Sequence, residues 1–186
     1  MASSFAGPRL AFVLMPGYSR YPVSEYGDHT QAAMSKDDSG TVRYELQDFS
    51  VDFHKEFFRG ITVLAPTQQW MTLGEILHMC YMEIASFLET FPVTAFKVGI
   101  TTDPNIRFDA YKKDGFTKMV VIMGTAVLSV VEEAETSMIA EFSQTPGCLN
   151  ERSGGDGGLA RRFPNWPYYF VYVVGFDASR VTRRAT

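Results

Sequence analysis

Hydrophobic and polar residues alternate over several short stretches of the chain, and this period of two is typical of strands with one buried face. Val42, Tyr44 and Leu46 show the alternation, and short apolar runs elsewhere are also typical of strands. The predicted strands cover residues 10–15, 42–46, 49–53, 61–65, 96–101, 118–125 and 168–174. The stretch 16–40 predicts a long loop, because it is polar and rich in Tyr, Ser, Asp and Gly.

A helix is predicted to begin at Thr72, which has capping-box spacing with Glu75, and to end before Pro92. Apolar residues recur along it at helical spacing, so we expect one of its faces to be buried. With its flanking strands it makes a strand, helix, strand unit over residues 61–101. A crossover of that size is compatible with parallel pairing of the two strands.

Two further helices follow. Asp103 before Pro104 predicts a helix start, with Asp as N-cap and Pro at the first position, and Gly115 is the predicted stop. Over residues 127–142, apolar side chains fall on one broad arc. Together these elements predict one α/β (α+β) domain, with a small mixed or antiparallel sheet flanked by helices.

The net charge of the 186 residues is −4, which disfavours a protein that coats nucleic acid non-specifically. The charge is unevenly distributed. Residues 1–95 carry 6 basic and 11 acidic side chains, whereas residues 96–186 carry 11 and 10. Any nucleic-acid binding is therefore expected at a local cleft with a metal ion, and not over a broad basic surface.

The sequence predicts a soluble, intracellular protein with reduced thiols and no membrane partner. Cys80 and Cys148 are too few for a disulfide scaffold, and they lie in no cluster with the spacing of a zinc site. The apolar run 10–15 is shorter than a signal-peptide core, and no stretch approaches the roughly 20 apolar residues that span a bilayer. The oligomeric state is left open.

The helix predicted at 127–142 contains a carboxylate, Glu135, within its apolar arc. An ionised carboxylate directed at a packed face is costly unless it is paired or binds a metal. Two interpretations follow, an ion pair with an arginine such as Arg107, or a ligand of a metal ion.

Five positions around this carboxylate occur in an order that resembles the GIY-YIG nuclease superfamily. Gly99 lies in a predicted strand, Arg107 follows eight residues later, and Tyr111 lies one helical turn beyond it. Glu135 on the next helix and Asn150 after it complete the order. In that family a strand ending in Tyr-x-Gly leads to a helix with the Arg and an aromatic residue, and a later helix carries the metal-binding Glu.

The chain departs from the family pattern at two motifs. Lys97 stands where the second motif has a tyrosine, and no Gly-Ile-Tyr strand lies at the usual distance upstream. One replacement is the run 60–62, which reads Gly-Ile-Thr and lacks the phenol. The preferred replacement is the C-terminal strand, which would pair beside 96–101 in a circularly permuted sheet. Either Tyr169 or Tyr172 would then be the first-motif tyrosine.

The resemblance implies roles in phosphodiester hydrolysis. Arg107 would bind the scissile phosphate, Glu135 would hold Mg²⁺ or Mn²⁺, and Tyr111 would hydrogen-bond a phosphate or the attacking water. Lys97 or another cation would lower the pKa of a nearby tyrosine, so that a phenolate accepts the proton of that water. Asn150 would position the Glu helix or the substrate.

The segment beyond Asn150 is rich in Gly and Arg. Arg152, Arg161 and Arg162 are candidate substrate-binding residues, because arginines contact backbone phosphates, and a solvated basic loop is the alternative interpretation.

The function implied is a divalent-metal-dependent endonuclease that acts on DNA or RNA. Residues 96–174 would form its GIY-YIG-like core, residues 1–95 an N-terminal elaboration of the same domain, and residues 175–186 a mobile C-terminal tail. An inactive module of the same fold, which binds nucleic acid or protein, is the alternative. A third interpretation is an unrelated α/β protein in which the candidate side chains do not converge.

Overall fold

The fold is α+β, with strands and helices distributed along the whole described chain. The computed structural model describes residues 33–49, 58, 60–64, 66, 68–150 and 168–177, together with the backbone of 11–15 and 18–23. The strands are β1 Ala11–Met15, β2 Tyr18–Val23, β3 Met34–Lys36, β4 Val42–Glu45, β5 Thr62–Val63, β6 Trp70–Met71, β7 Val93–Thr101, β8 Lys118–Thr125 and β9 Tyr169–Asp177. The helices are α1 Leu73–Thr90, α2 Pro104–Lys113 and α3 Leu128–Phe142.

A four-stranded sheet in the order β5-β8-β9-β7 is the largest sheet of the described residues. The strand β9 pairs antiparallel with both β7 and β8, and β5 is parallel to β8. The predicted pairing of the C-terminal strand beside 96–101 is therefore confirmed. A three-stranded sheet, β3-β4-β6, and the hairpin β1-β2 complete the described strands.

Successive side chains of a strand point to opposite sides of the sheet, and both faces of the four-stranded sheet are buried. The first face packs against α1 and α3, and its strand residues include Phe96, Val98, Ile100, Val120, Ile122, Tyr169, Val171 and Val173. The second face packs against α2, and its strand residues include Met119, Val121, Phe170, Tyr172 and Val174. The sheet thus separates α2 from α1 and α3.

The predicted starts of α1 and α2 are confirmed. At α1 the Glu75 backbone N–H donates to Thr72 Oγ1 at 3.3 Å, and the Thr72 N–H donates to Glu75 Oε2 at 2.7 Å, which is a complete capping box. At α2 the Asp103 carboxylate accepts the N–H groups of the second and third helical residues. Beyond its end, Gly115 has φ +91°, a conformation that favours glycine.

Three predictions about the first hundred residues need correction or lie outside the described residues. The predicted loop 16–40 contains β2, which pairs with β1, and β3, which pairs with β4 and whose residues are exposed. The strands at either end of 61–101 do not pair, because β8 and β9 lie between them. The strand predicted at 49–53 falls mostly outside the described residues. None of the described helices has the length and apolar character needed to cross a bilayer.

Candidate active site

Three side chains of the second face converge, and we call Arg107, Tyr111 and Tyr172 the phenol cluster. Arg107 Nε donates to the Tyr172 hydroxyl at 3.0 Å. The hydroxyls of Tyr111 and Tyr172 are 3.1 Å apart and hydrogen-bonded. Arg107 and Tyr111 lie one turn apart on α2, so the guanidinium carbon sits 5.1 Å from the centre of the Tyr111 ring. The sequence predicted the turn spacing, and β9 brings the second phenol to it.

Gly99 makes room for the ring of Tyr172. The two residues are directly opposite each other in the β7-β9 pair. A Cβ at position 99 would overlap the Tyr172 hydroxyl oxygen and lie 2.7 Å from Cζ of the same ring. The phenol can therefore cross the strand and reach α2 only because residue 99 has no side chain.

Burial favours the protonated form of the Tyr172 phenol. Its side chain is fully buried, Tyr111 is 7% exposed, and Arg107 is half-buried. Burial raises the pKa of Tyr172 well above its ordinary value of 10.0, and the neighbouring Tyr111 raises it further, although Arg107 acts in the opposite direction. For Tyr172, the pKa is therefore displaced in the opposite direction from that predicted for a phenol beside a cation. The increase in the pKa of Tyr172 caused by burial is larger than the decrease caused by the charge of Arg107.

The other first-motif candidate, Tyr169, lies on the first face of the sheet, away from the phenol cluster. It is 5% exposed, and burial raises its pKa, with the charge of Glu132 acting in the same direction. Of the two candidates, the structure brings only Tyr172 to Arg107.

Lys97 lies two residues before Gly99 on the same side of β7, opposite Val174, and it is half-buried. This places it on the second face, diagonally across from Tyr172, at a distance that a long side chain can span. Within the described part of the chain it forms no hydrogen bond or ion pair with the phenol cluster.

Glu135 is buried, as its position in the apolar arc predicted, and is only 3% exposed. It lies on α3, which packs with α1 on the first face, whereas Arg107 lies at the second face. The structure therefore does not bring Glu135 to the phenol cluster, and it places Glu135 and Arg107, the two residues of the suggested ion pair, on opposite faces of the sheet. Among the described residues, no group of three or more His, Cys, Asp or Glu side chains is placed to hold a metal.

Asn150 extends the sheet at the free edge of β7. Its Oδ1 accepts the Val98 N–H at 2.9 Å, and its Nδ2 donates to the Val98 carbonyl at 2.7 Å. Next to this pair, the Leu149 N–H donates to the Phe96 carbonyl at 2.9 Å. The side-chain amide thus replaces a backbone partner, a structural role that sequence reasoning missed and that no sequence signal marks. Substrate binding by Asn150 stays a prediction.

The predicted substrate-binding residues Arg152, Arg161 and Arg162 lie outside the described residues.

In comparisons with known proteins, the chain matches no family model, and no characterised protein and no solved structure is significantly similar to it.

Proposed function

We propose that this chain acts on nucleic acid as a divalent-metal-dependent endonuclease of the GIY-YIG type, with the phenol cluster as its phosphate-binding site. The single observation that supports the proposal is the contact of Arg107 with Tyr172. The resemblance requires a first-motif tyrosine, which is missing upstream. The strand β9 supplies a tyrosine against Gly99 and Arg107, two other positions of the same motif set.

The chemistry of the phenol cluster suits an anionic ligand. Arginine keeps its charge at any working pH, and its planar donors match the oxygens of a phosphate. Because Tyr172 bonds Nε, the guanidinium is fixed in orientation before a ligand arrives. Tyr111 adds a second hydroxyl on the same helix, and Lys97 adds a positive charge on the same face.

Metal dependence would rest on Glu135. A single carboxylate is sufficient for Mg²⁺, which keeps several waters. However, Glu135 lies across the sheet from Arg107, and the described residues do not assemble a metal site beside the phenol cluster.

A second candidate function is a binding module of the same fold that does not cleave. The position of Glu135 favours it, because a metal ligand must reach the phosphate that Arg107 holds. The raised pKa of Tyr172 favours it too, because a neutral phenol is a poor general base near neutral pH.

Cleavage and binding assays separate the two functions. Wild type, Arg107→Ala, Glu135→Gln and the control Lys113→Ala would be incubated with supercoiled plasmid, single-stranded DNA and structured RNA, with Mg²⁺, with Mn²⁺ or with EDTA. Lys113 is an exposed cation on the same helix as Arg107. Thermal unfolding of each variant would identify losses that come from misfolding.

The endonuclease is supported if wild type and Lys113→Ala cut only with metal, while Arg107→Ala and Glu135→Gln do not cut. Salt-sensitive binding without cutting, lost in Arg107→Ala, supports the binding module. If wild type neither cuts nor binds any of the three nucleic acids, both functions are rejected.

A further inference from the structure

The direction of the hydrogen bonds in the phenol cluster can be deduced from the donors that are available. A tyrosine hydroxyl has one proton to donate and lone pairs to accept with. Arg107 Nε carries a hydrogen and can only donate, so Tyr172 accepts from it. Within the described part of the chain, Tyr111 is the other hydrogen-bond partner of Tyr172.

The buried Tyr172 proton needs an acceptor, because buried polar groups are almost always hydrogen-bonded. The Tyr111 oxygen, 3.1 Å away, is the acceptor that the described residues provide. The hydrogen bonds therefore run from Arg107 to Tyr172 and from Tyr172 to Tyr111. In this direction Tyr111 accepts from Tyr172 and keeps its own proton for a partner outside the cluster.

We infer that Tyr172 is a positioning residue, which acts as a neutral phenol to fix Arg107 and to leave the Tyr111 proton available to an anionic phosphate oxygen. This inference rests on the proposed function. It adds to that function two hydrogen-bond donors, Arg107 and Tyr111, for the same phosphate group. Arg107 offers charge and planar geometry, and Tyr111 offers a hydroxyl one helical turn away. Both residues lie on α2, and the Tyr172 hydroxyl bonds both of them from β9.

This role differs from that of a general base. A base must lose its proton within the working pH range, and the pKa of Tyr172 is raised above 10.0. Among the residues that the structure describes, the ionisable groups that face Tyr172 are Arg107 and Tyr111 from α2 and Lys97 from the same side of β7. On β8 the residue opposite it is the uncharged Val121. None of these groups makes a tyrosinate at position 172 the expected form near neutral pH.

The test measures binding and cleavage of Tyr172→Phe, Tyr111→Phe and the double variant against wild type. Tyr169→Phe is the matched control, because it removes the hydroxyl of a buried tyrosine on the same strand that points to the opposite face. The probe is fluorescein-labelled single-stranded DNA, with duplex DNA and hairpin RNA as further arms. Affinity is measured by anisotropy, and cleavage with Mg²⁺, between about pH 6 and about pH 9.

We expect Tyr172→Phe and Tyr111→Phe each to weaken binding about tenfold, as the loss of one hydrogen bond to a charged group would. The double variant should lose much less affinity than the roughly hundredfold that two independent contacts would give, because the two hydroxyls belong to the same series of hydrogen bonds. Tyr169→Phe should bind as wild type does. Any cleavage by Tyr172→Phe should fall with affinity and keep the wild-type pH profile.

Two results would overturn the inference while leaving the proposed function intact. In the first, Tyr172→Phe binds as tightly as wild type. In the second, it binds normally, cleavage is abolished, and the wild-type rate rises about tenfold per pH unit, as a titrating base requires. If wild type binds none of the probes, the proposed function and the inference fail together. Circular dichroism and thermal unfolding of Tyr172→Phe distinguish a lost contact from a lost fold.

Discussion

Gly99 and Tyr172 face each other across the β7-β9 pair, and the phenol ring fills the space in which a side chain at position 99 would lie. The two residues are far apart in sequence, yet each determines what the other can be. A larger residue at 99 would push the ring out of place. A smaller residue at 172 would remove the hydroxyl that Arg107 Nε contacts. The position of Arg107, the candidate phosphate-binding residue, thus depends on a contact between two strands.

Gly99→Ala is expected to destabilise the protein by about 1–3 kcal/mol, because overpacking a rigid core costs that much, and to weaken nucleic-acid binding. Urea unfolding measures the first effect and anisotropy the second. The matched control is Gly74→Ala, since Gly74 is helical and, apart from its chain neighbours and its own helix backbone, no atom lies within 4 Å of the position that an alanine methyl group would take. The control should be neutral or stabilising by up to about 1 kcal/mol. Equal stability of the two variants would contradict the steric role of Gly99.

Arg107→Gln is expected to reduce the slope of log K against log salt concentration by about 0.9 on duplex DNA, since one phosphate contact is lost. Its affinity should fall on every sequence tested, because a phosphate contact carries no base specificity. Lys113→Gln removes an exposed charge from the same helix and should leave the slope unchanged. An unchanged slope for Arg107→Gln would remove Arg107 from the interface.

Asn150→Leu is expected to cost about 1–3 kcal/mol of unfolding free energy, because the backbone N–H and C=O of the buried residue Val98 lose their partners. Hydrogen exchange at the Val98 amide should become faster. Leu149→Ala is the control, since its side chain is 44% exposed and its bond to Phe96 comes from the backbone. If Asn150→Leu proves as stable as wild type, the edge pairing is not what holds this segment.

The burial of the Cys80 thiol predicts a loss of stability at alkaline pH. Burial raises the pKa of its thiol from 9.0 to about 12, with the charge of Glu83 adding to the effect. Between these values the unfolded chain has lost the proton and the folded chain keeps it, so unfolding becomes more favourable as pH rises. The stability is complete below about pH 9. Across the window it should fall by up to about 1.4 kcal/mol per pH unit for this group.

Urea unfolding of wild type and Cys80→Ala over that pH range provides the measurement. The variant should be less stable at neutral pH, because it leaves a small cavity, but its stability should decline less steeply with pH. Cys148→Ala is the control for the loss of a thiol as such. Parallel pH curves for wild type and Cys80→Ala would show that Cys80 ionises as readily in the folded chain as in the unfolded one.

Local signals in the sequence were sufficient for most of the elements. The capping box at Thr72 and the Asp103 cap specify the starts of α1 and α2, and short apolar runs identify the buried strands. The short strands β2 and β3 were missed because they carry no apolar period. The residues of β3 are exposed, and its pairing with β4 uses the backbone. Backbone pairing of this kind leaves no pattern in the side chains.

The candidate site could be predicted only in part, for a geometric reason. Helical periodicity places Glu135 on the buried side of its helix, and burial confirms that. Helical periodicity does not show which face of the sheet the helix covers. That face determines whether Glu135 can reach Arg107. Similarly, Tyr169 and Tyr172 have the odd spacing that puts them on opposite faces. The sequence cannot show which of these faces holds α2.

The central position of β9 has a consequence for how the chain is made. The strands β7 and β8 do not pair with each other, and each reaches the other only through β9. A ribosome synthesises both of them, with α2 and α3, before it reaches residue 169. During that interval β7 and β8 each have an open edge, and Arg107 cannot yet bond to Tyr172, 65 residues further along. The sheet and the phenol cluster must therefore be completed late, and a nascent chain arrested before β9 should have neither.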